Sequence, residues 1–283
     1  MLPPFGRDAA AEGRGSHPAR AALFPMQRTN RLPIEILPQP DDVTCGPTCL
    51  QAVYRYFGEN VPLEEVVATV PTLSAQTGGR GTLAVMLGCD ALRRGYQARL
   101  YSLNLNLFDP TWFPGGPSQP ADSGVLREKL RLQSAAKAQD DVKLGVAAAW
   151  YMEFLDRGGE ICLGELSSRF LTSWLAEGQP ILTGLSSTYL YRHAREFGPN
   201  DDSDDIRGVP QGHFVVLTGH DSARRTVLVA DPLGDRSTFG THVYEVPMAR
   251  LVGAILLGVL TYDGNMLIIR PQGEGKTAKG GDR

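Results

Sequence analysis

Apolar residues recur at helical spacing through the first two thirds of the chain and gather into short strand-like runs in the last third. Leu50, Val53, Tyr54 and Phe57 fall on one helix face, after Cys45-Gly46-Pro47 and before Gly58. Proline is tolerated in a helix's first turn and glycine supplies a C-terminal stop, so the spacing predicts a helix beginning near Cys45. A second short helix is predicted over 62–70, and a third over 82–94, capped by Thr82 after the glycine-rich turn 78–81. Strand character over 97–105 gives way to a Pro/Gly-rich loop at 109–122. Helical periodicity then returns over 125–132, 144–156 and 166–176. Short apolar strands are expected at 180–185, 213–218, 226–230, 242–246 and 254–261, with an edge strand among the prolines of 30–38. Helices first and a mainly antiparallel sheet afterwards define an α+β domain. We place it over about 31–270 with a helical insertion at about 106–176, a disordered leader at 1–30 in which Met26 is an alternative start, and a flexible tail at 271–283.

Composition narrows the partners. A chain of 283 residues, 42% of them hydrophobic, buries a sizeable core. A net charge of -3 and a pI near 6.0 give no global field for capturing nucleic acid or an anionic membrane. The longest apolar run, 251–260, contains two glycines and is far short of the roughly 20 residues of a membrane helix; it reads as a buried strand. The four cysteines are too few and too scattered for a disulfide scaffold, and no secretory signal opens the chain. A reducing cytoplasm and peptide or small-molecule partners are therefore expected.

Candidate chemistry centres on Cys45. The orphan N–H groups and dipole of a helix N-terminus favour a thiolate, the form in which cysteine attacks. Cys49, Cys89 and Cys162 lie inside apolar or helical stretches and read as core. The runs Gly212-His213-Phe-Val-Val-Leu217 and Thr226-Val-Leu-Val-Ala-Asp231-Pro232 should form a hairpin. If Gly219 faces Arg225, His213 faces Asp231 on one face of the pair, where a carboxylate can hold an imidazole.

These residues carry a resemblance. Gln39-Pro-Asp-Asp-Val-Thr-Cys45-Gly-Pro-Thr-Cys-Leu50 is similar to the nucleophile motif of the C39 peptidases, and the His213 and Ala230-Asp231-Pro232 runs are similar to their His and Asp motifs. The resemblance implies a papain-like fold with Cys45 as nucleophile, His213 as base, Asp231 as orienting carboxylate and Gln39 as oxyanion-hole donor. It implies hydrolysis of a peptide or isopeptide bond in a peptide or protein substrate, without a cofactor. An acyl- or peptidyl-transferase with the same triad, and a catalytically idle peptide-binding protein, are the alternatives. The stretch between Cys45 and His213 is longer than in typical C39 domains. Substrate, cleavage site and oligomeric state do not carry over.

Other patterns weigh less. Cys45 and Cys49 form C-x₃-C, but no second cysteine pair or His-x₃₋₅-His completes a zinc set. Gly78-Gly-Arg-Gly81 lacks the Lys-Ser/Thr of a phosphate loop. A calcium loop counted from Asp201 would need Glu at its twelfth position, where Gly212 stands. The acidic run Asp201, Asp202, Asp204 and Asp205 overhanging a cleft would favour basic substrates. His193, His220 and His242 are alternative bases. Tyr189 to His193 reads as packing or cleft wall, and Trp112, Trp150 and Trp174 as contacts between insertion and core.

Overall fold

A computed structural model describes residues 29–73, 81–116 and 118–273. Nearly all of the expected leader, including Met26, residues 78–80 of the glycine-rich turn and most of the tail lie outside the described residues.

The sequence after the first proline-rich segment folds as its periodicity requires. Helix α1 spans Cys45–Tyr56, with Cys49, Leu50, Val53 and Tyr54 buried, and α2 spans Leu63–Thr69. Helix α3 spans Ala84–Arg93 and starts later than expected, with Leu83 at the cap position. Thr82 does not cap it, because its hydroxyl donates to the Pro71 carbonyl at 2.9 Å and ties that loop instead. Strand β2 follows at Tyr96–Ser102. Helices α4 (Ser123–Lys137), α5 (Val142–Asp156) and α6 (Ser168–Ala176) occupy the region read as helical. Asp122, Asp141 and Ser167 cap them, each side chain accepting from an N–H of the first turn. This region also holds a strand that periodicity missed, β3 at Glu160–Leu163, too short for an alternation to register.

One eight-stranded sheet forms the centre, in the order β3-β2-β10-β4-β7-β8-β9, with β1 (Thr29–Arg31) pairing β7 outside that path. The other members are β4 (Ile181–Ser186), β7 (Gly212–Asp221), β8 (Thr226–Ala230), β9 (Val243–Pro247) and β10 (Asn265–Pro271). All pairings are antiparallel except β2 with β3. A separate hairpin joins β5 (Glu196–Phe197) to β6 (Asp202–Ser203), following the short helix α7 (Ser187–Tyr191). The expected edge strand at 30–38 survives only as the three residues of β1, since the prolines beyond cannot donate to a ladder.

Two expectations are corrected. The apolar run at 251–260 is not a strand: α8 spans Met248–Leu257 and a 3₁₀ turn covers Gly258–Thr261. Leu251, Ala254 and Ile255 are buried while Leu256 and Leu257 are exposed, a helical spacing that an unbroken apolar stretch conceals. The strand that belongs in the sheet is β10, between β2 and β4. The hairpin register also differs. Asp221 accepts from the N–H groups of Ala223 and Arg224, Arg225 is left-handed, and Asp221 pairs with Thr226. A bulge between Leu217 and Gly219 then leads to pairs Leu217 with Val229 and Val216 with Ala230. Continued one residue, that register puts Asp231 opposite Val215, so His213 is its diagonal neighbour rather than its direct partner.

The result is an α+β fold in which α1, with Cys45 at its N-terminus, packs on β7, the strand that carries His213.

Candidate active site

Gly46 allows the first turn of α1 to approach the sheet. A Cβ there would stand 2.5 Å from Thr82 Cγ2 and 3.3 Å from the Phe214 ring, so any side chain would push the helix away. One turn later the Cys49 thiol donates to the Phe214 carbonyl, and burial raises its pKa well above normal. Cys49 is thus a packing residue between α1 and β7. Cys45, half-buried, opens toward a cleft of about 920 Å³ lined also by Gln39, Tyr191, His213 and Asp263. Thr44 does not cap α1 through its side chain; its hydroxyl engages Asp41 at 3.4 Å. The first-turn N–H groups therefore have no side-chain cap competing with an anion.

The imidazole and carboxylate expected to meet do so across the bulged register. His213 Nε2 lies 2.8 Å from Asp231 Oδ1, and Asp231 is fully buried. With that nitrogen engaged by Asp231, Cys45 acts on the ring from the same cleft and adds to its raised pKa. The carboxylate is held by three further donors. Tyr191 and Tyr244 hydroxyls both reach Oδ2 at 2.6 Å, and the Leu233 N–H reaches Oδ1 at 2.9 Å. Burial alone would raise the Asp231 pKa, but the His213 charge and these hydrogen bonds hold it down at about 2. Burial likewise works against the imidazolium, yet Asp231, with Cys45 adding to it, raises His213 to about 10. At neutral pH the geometry therefore favours an imidazolium held on a carboxylate. Tyr191 and Tyr244 are in turn pushed upward, by burial first and the Asp231 charge second, and stay protonated donors.

Gln39 stands on the cleft wall and is tied to the same loop. Its N–H donates to the Pro232 carbonyl at 3.0 Å, and its side-chain Nε2 donates to the Asp41 carbonyl at 2.8 Å. The buried Oε1 has no partner. Exchanging the two amide ends would set oxygen against the Asp41 oxygen, so the donor end is fixed and has one further hydrogen to offer.

The alternative bases sit elsewhere. His220 is buried on β7 with Nδ1 unpartnered, and burial lowers its pKa. His242 Nδ1 lies 2.8 Å from the Asp231 carbonyl oxygen, supporting the backbone of Asp231 rather than its carboxylate. His193 stacks on Tyr191 and lines the cleft. In the acidic run, Asp204 accepts from two backbone N–H groups and pairs with Arg207, a local turn, while Asp201 lines the cleft. Among the described residues no group of three His, Cys, Asp or Glu converges as a metal set.

Sequence reasoning missed Tyr244 and read Tyr191 as packing or cleft wall, which it is, but not as a donor to Asp231. The pairing of Val229 with Tyr244 in β8 and β9 places Tyr244 close to Asp231, a signal legible once that register is known. Tyr191 lies on α7, and no local pattern connects it to β8. Asp263, which lines the same cleft as His213, follows the misassigned apolar segment and belongs to no motif.

Fold and site together give an α+β domain in which Cys45 and His213 share one cleft and the buried Asp231 stands behind the imidazole. Among solved structures the chain is similar to C39 peptidase domains and C39-like peptidases. One is a putative C39-like peptidase from Bacillus anthracis, 14% identical with a TM-score of 0.40, covering 86% of this chain and 98% of that one. Another is a double-glycine-motif protease from an AMS/PCAT transporter, in complex with the leader peptide, 16% identical with a TM-score of 0.39, covering 86% and 94%. A third is the peptidase domain of Streptococcus ComA, 14% identical with a TM-score of 0.38, covering 84% and 99%. No protein-family model matches the sequence, and no curated protein does. No helix among the described residues is long and apolar enough to cross a membrane.

Proposed function

We propose that the protein is a cysteine peptidase that hydrolyses peptide or isopeptide bonds through Cys45, His213 and Asp231. The observation that carries this reading is a fully buried carboxylate whose four donors leave His213 with one ring nitrogen for Cys45 at the N-terminus of α1. In this mechanism the Cys45 thiolate attacks the scissile carbonyl. The oxyanion is met by the Cys45 backbone N–H and the remaining Gln39 amide hydrogen. His213 protonates the leaving nitrogen, and a water, activated by the neutral imidazole, resolves the thioester. Asp231 keeps the ring oriented and its charge stabilised, and the two tyrosines keep Asp231 in place.

The test is intact-mass analysis after limiting iodoacetamide near neutral pH. Rapid single modification is expected in the wild type, absent in Cys45→Ala and at least about 10-fold slower in His213→Ala, since thiolate content sets the rate. Equal slow labelling of all three proteins would refute the reading. Gln39→Ala should label at the wild-type rate while losing about 10²–10³ in peptide turnover, because an oxyanion donor acts on the transition state alone.

A further inference from the structure

Asp263 is 8% exposed and lies on the cleft lining, yet the mechanism above does not use it. It follows the 3₁₀ turn at Gly258–Thr261 and the left-handed Tyr262, and its N–H donates to the Gly258 carbonyl at 2.8 Å. Its place is made by two glycines on neighbouring strands. A Cβ on Gly212 would overlap Asp263 Oδ2, and one on Gly184 would meet the Asp263 backbone and lie 2.8 Å from its Cβ. Gly212 immediately precedes His213, and Asp263 and His213 line the same cleft.

The carboxylate has little to neutralise it there. The Thr261 hydroxyl donates to the Gly258 carbonyl at 3.0 Å, and Thr261, Lys143 and His213 only partly offset the burial of the carboxyl. Lys143 is occupied elsewhere, its Nζ donating to the Thr261 carbonyl at 3.3 Å and lying 4.7 Å from the centre of the Tyr262 ring. Among the described residues no Lys or Arg forms an ion pair with Asp263, and Lys143 is the single Lys or Arg lining the cleft. Burial raises this carboxyl to about 7, the condition of an anion that lacks a partner. A cation arriving from the cleft would supply one.

We propose that Asp263 determines specificity on the leaving-group side of the cleft, selecting amines that carry a second positive charge, as a lysine- or arginine-type residue does. The side follows from its neighbour, because His213 is the group that passes a proton to the leaving nitrogen. The inference rests on the reading of Cys45 as nucleophile. Of the other carboxylates lining the cleft, Asp42 is already paired with Arg236 at 3.0 Å. Glu196 lies on β5 and Asp201 in the turn between β5 and β6, on a hairpin separate from the central sheet.

The reverse of amide cleavage, interception of the acyl-enzyme by an amine, tests this without knowledge of the natural substrate. N-acetylglycine p-nitrophenyl ester serves as acyl donor. The Cys45 Sγ–carbon bond forms as the bond to oxygen breaks, and p-nitrophenolate leaves with the electron pair. An acceptor amine then forms the C–N bond, the pair of the broken C–S bond returns to sulfur, and the amine proton passes to His213. The partition between water and lysinamide, norleucinamide or the α-amide of glutamic acid is read from the products. With wild type, lysinamide should intercept about 10-fold more often than norleucinamide, and more often still than the glutamic acid amide. Asp263→Asn should bring the three acceptors within about 2-fold of one another, the partition being compared within each protein. A role confined to bracing the Thr261 turn would not distinguish amines of opposite charge. Equal partition in wild type, or a lysinamide preference that persists in Asp263→Asn, overturns the proposal and leaves the Cys45 reading intact. Absence of a burst, or a burst retained in Cys45→Ala, overturns both. Should Asp263→Asn fail to fold, lysinamide against the glutamic acid amide on wild type decides alone.

Discussion

At the scale of single residues, Asp231 is the centre of the site. A buried carboxylate is costly unless hydrogen-bonded, and this one receives two tyrosine hydroxyls, a backbone N–H and an imidazole. Hydrogen bonds to a charged group are worth roughly 1.5–3 kcal/mol each, so Tyr191→Phe or Tyr244→Phe should lose about 2 kcal/mol in urea denaturation. Each change should also let the His213 pKa fall, because a less firmly held carboxylate supports the imidazolium less. The alkaline limb of Cys45 labelling should then move to lower pH in both variants, and further in Asp231→Asn. A stability loss with no displacement of that limb would assign the tyrosines to packing alone.

At the scale of elements, the approach of α1 to β7 depends on a missing side chain. Gly46→Val would drive the first turn from Thr82 and Phe214, so Cys45 labelling should drop toward that of an ordinary thiol even where the protein remains folded. A second anchor lies at the other end of α1. Tyr54 on α1 donates to Asp90 on α3 at 2.9 Å, and Arg93 and Arg94 pair with the same carboxylate at 2.7 and 3.1 Å. Asp90 is 2% exposed, and removing it leaves the buried Tyr54 hydroxyl without its acceptor and Arg93 without its carboxylate, while Arg94 keeps Glu59 and Glu65. Asp90→Ala should cost about 3–5 kcal/mol, measured by chemical denaturation, with the Cys45 labelling rate little changed in the folded fraction. The apolar run of α8 teaches a related lesson. Its composition fits a buried strand or a helix equally well, and the place in the sheet was taken by β10, whose seven residues all pair with β2 and two of which, Met266 and Leu267, also pair with β4.

For the whole molecule, three titrations near the cleft set the pH dependence of stability. Asp231, ordinarily near 3.9 when unfolded, is held at about 2. Its contribution is present above about pH 4 and disappears as pH falls toward 2. His213, ordinarily near 6.5, is raised to about 10. Its contribution is complete below about pH 6.5 and disappears as pH rises toward 10. Asp263 acts in the opposite sense to Asp231: with a carboxyl raised to about 7, it costs stability as pH rises from about 4 to 7. Urea midpoints across pH should therefore fall on both sides of the mildly acidic range. Asp263→Asn should flatten the decline between about pH 4 and 7, and Asp231→Asn the decline above it.

The sequence by itself determined what depends on local chemistry and periodicity. Cys45 at a helix N-terminus, buried Cys49, and the strands carrying His213 and Asp231 were legible because spacing, proline, glycine and strand residues act over a few neighbours. The α+β class followed from the order of those elements. Only the tertiary structure decided what depends on meetings between distant segments. The bulge between Leu217 and Gly219, together with the Asp221–Thr226 pairing at the turn, sets Asp231 diagonal to His213. Tyr191 and Tyr244 reach one carboxylate from a helix and a strand far apart in the chain. The same holds for β3, for β10 between β2 and β4, and for Asp263 in a notch made by glycines of two other strands. No window of sequence contains such contacts, because their energy comes from burial and long-range pairing that exist only after the chain has folded.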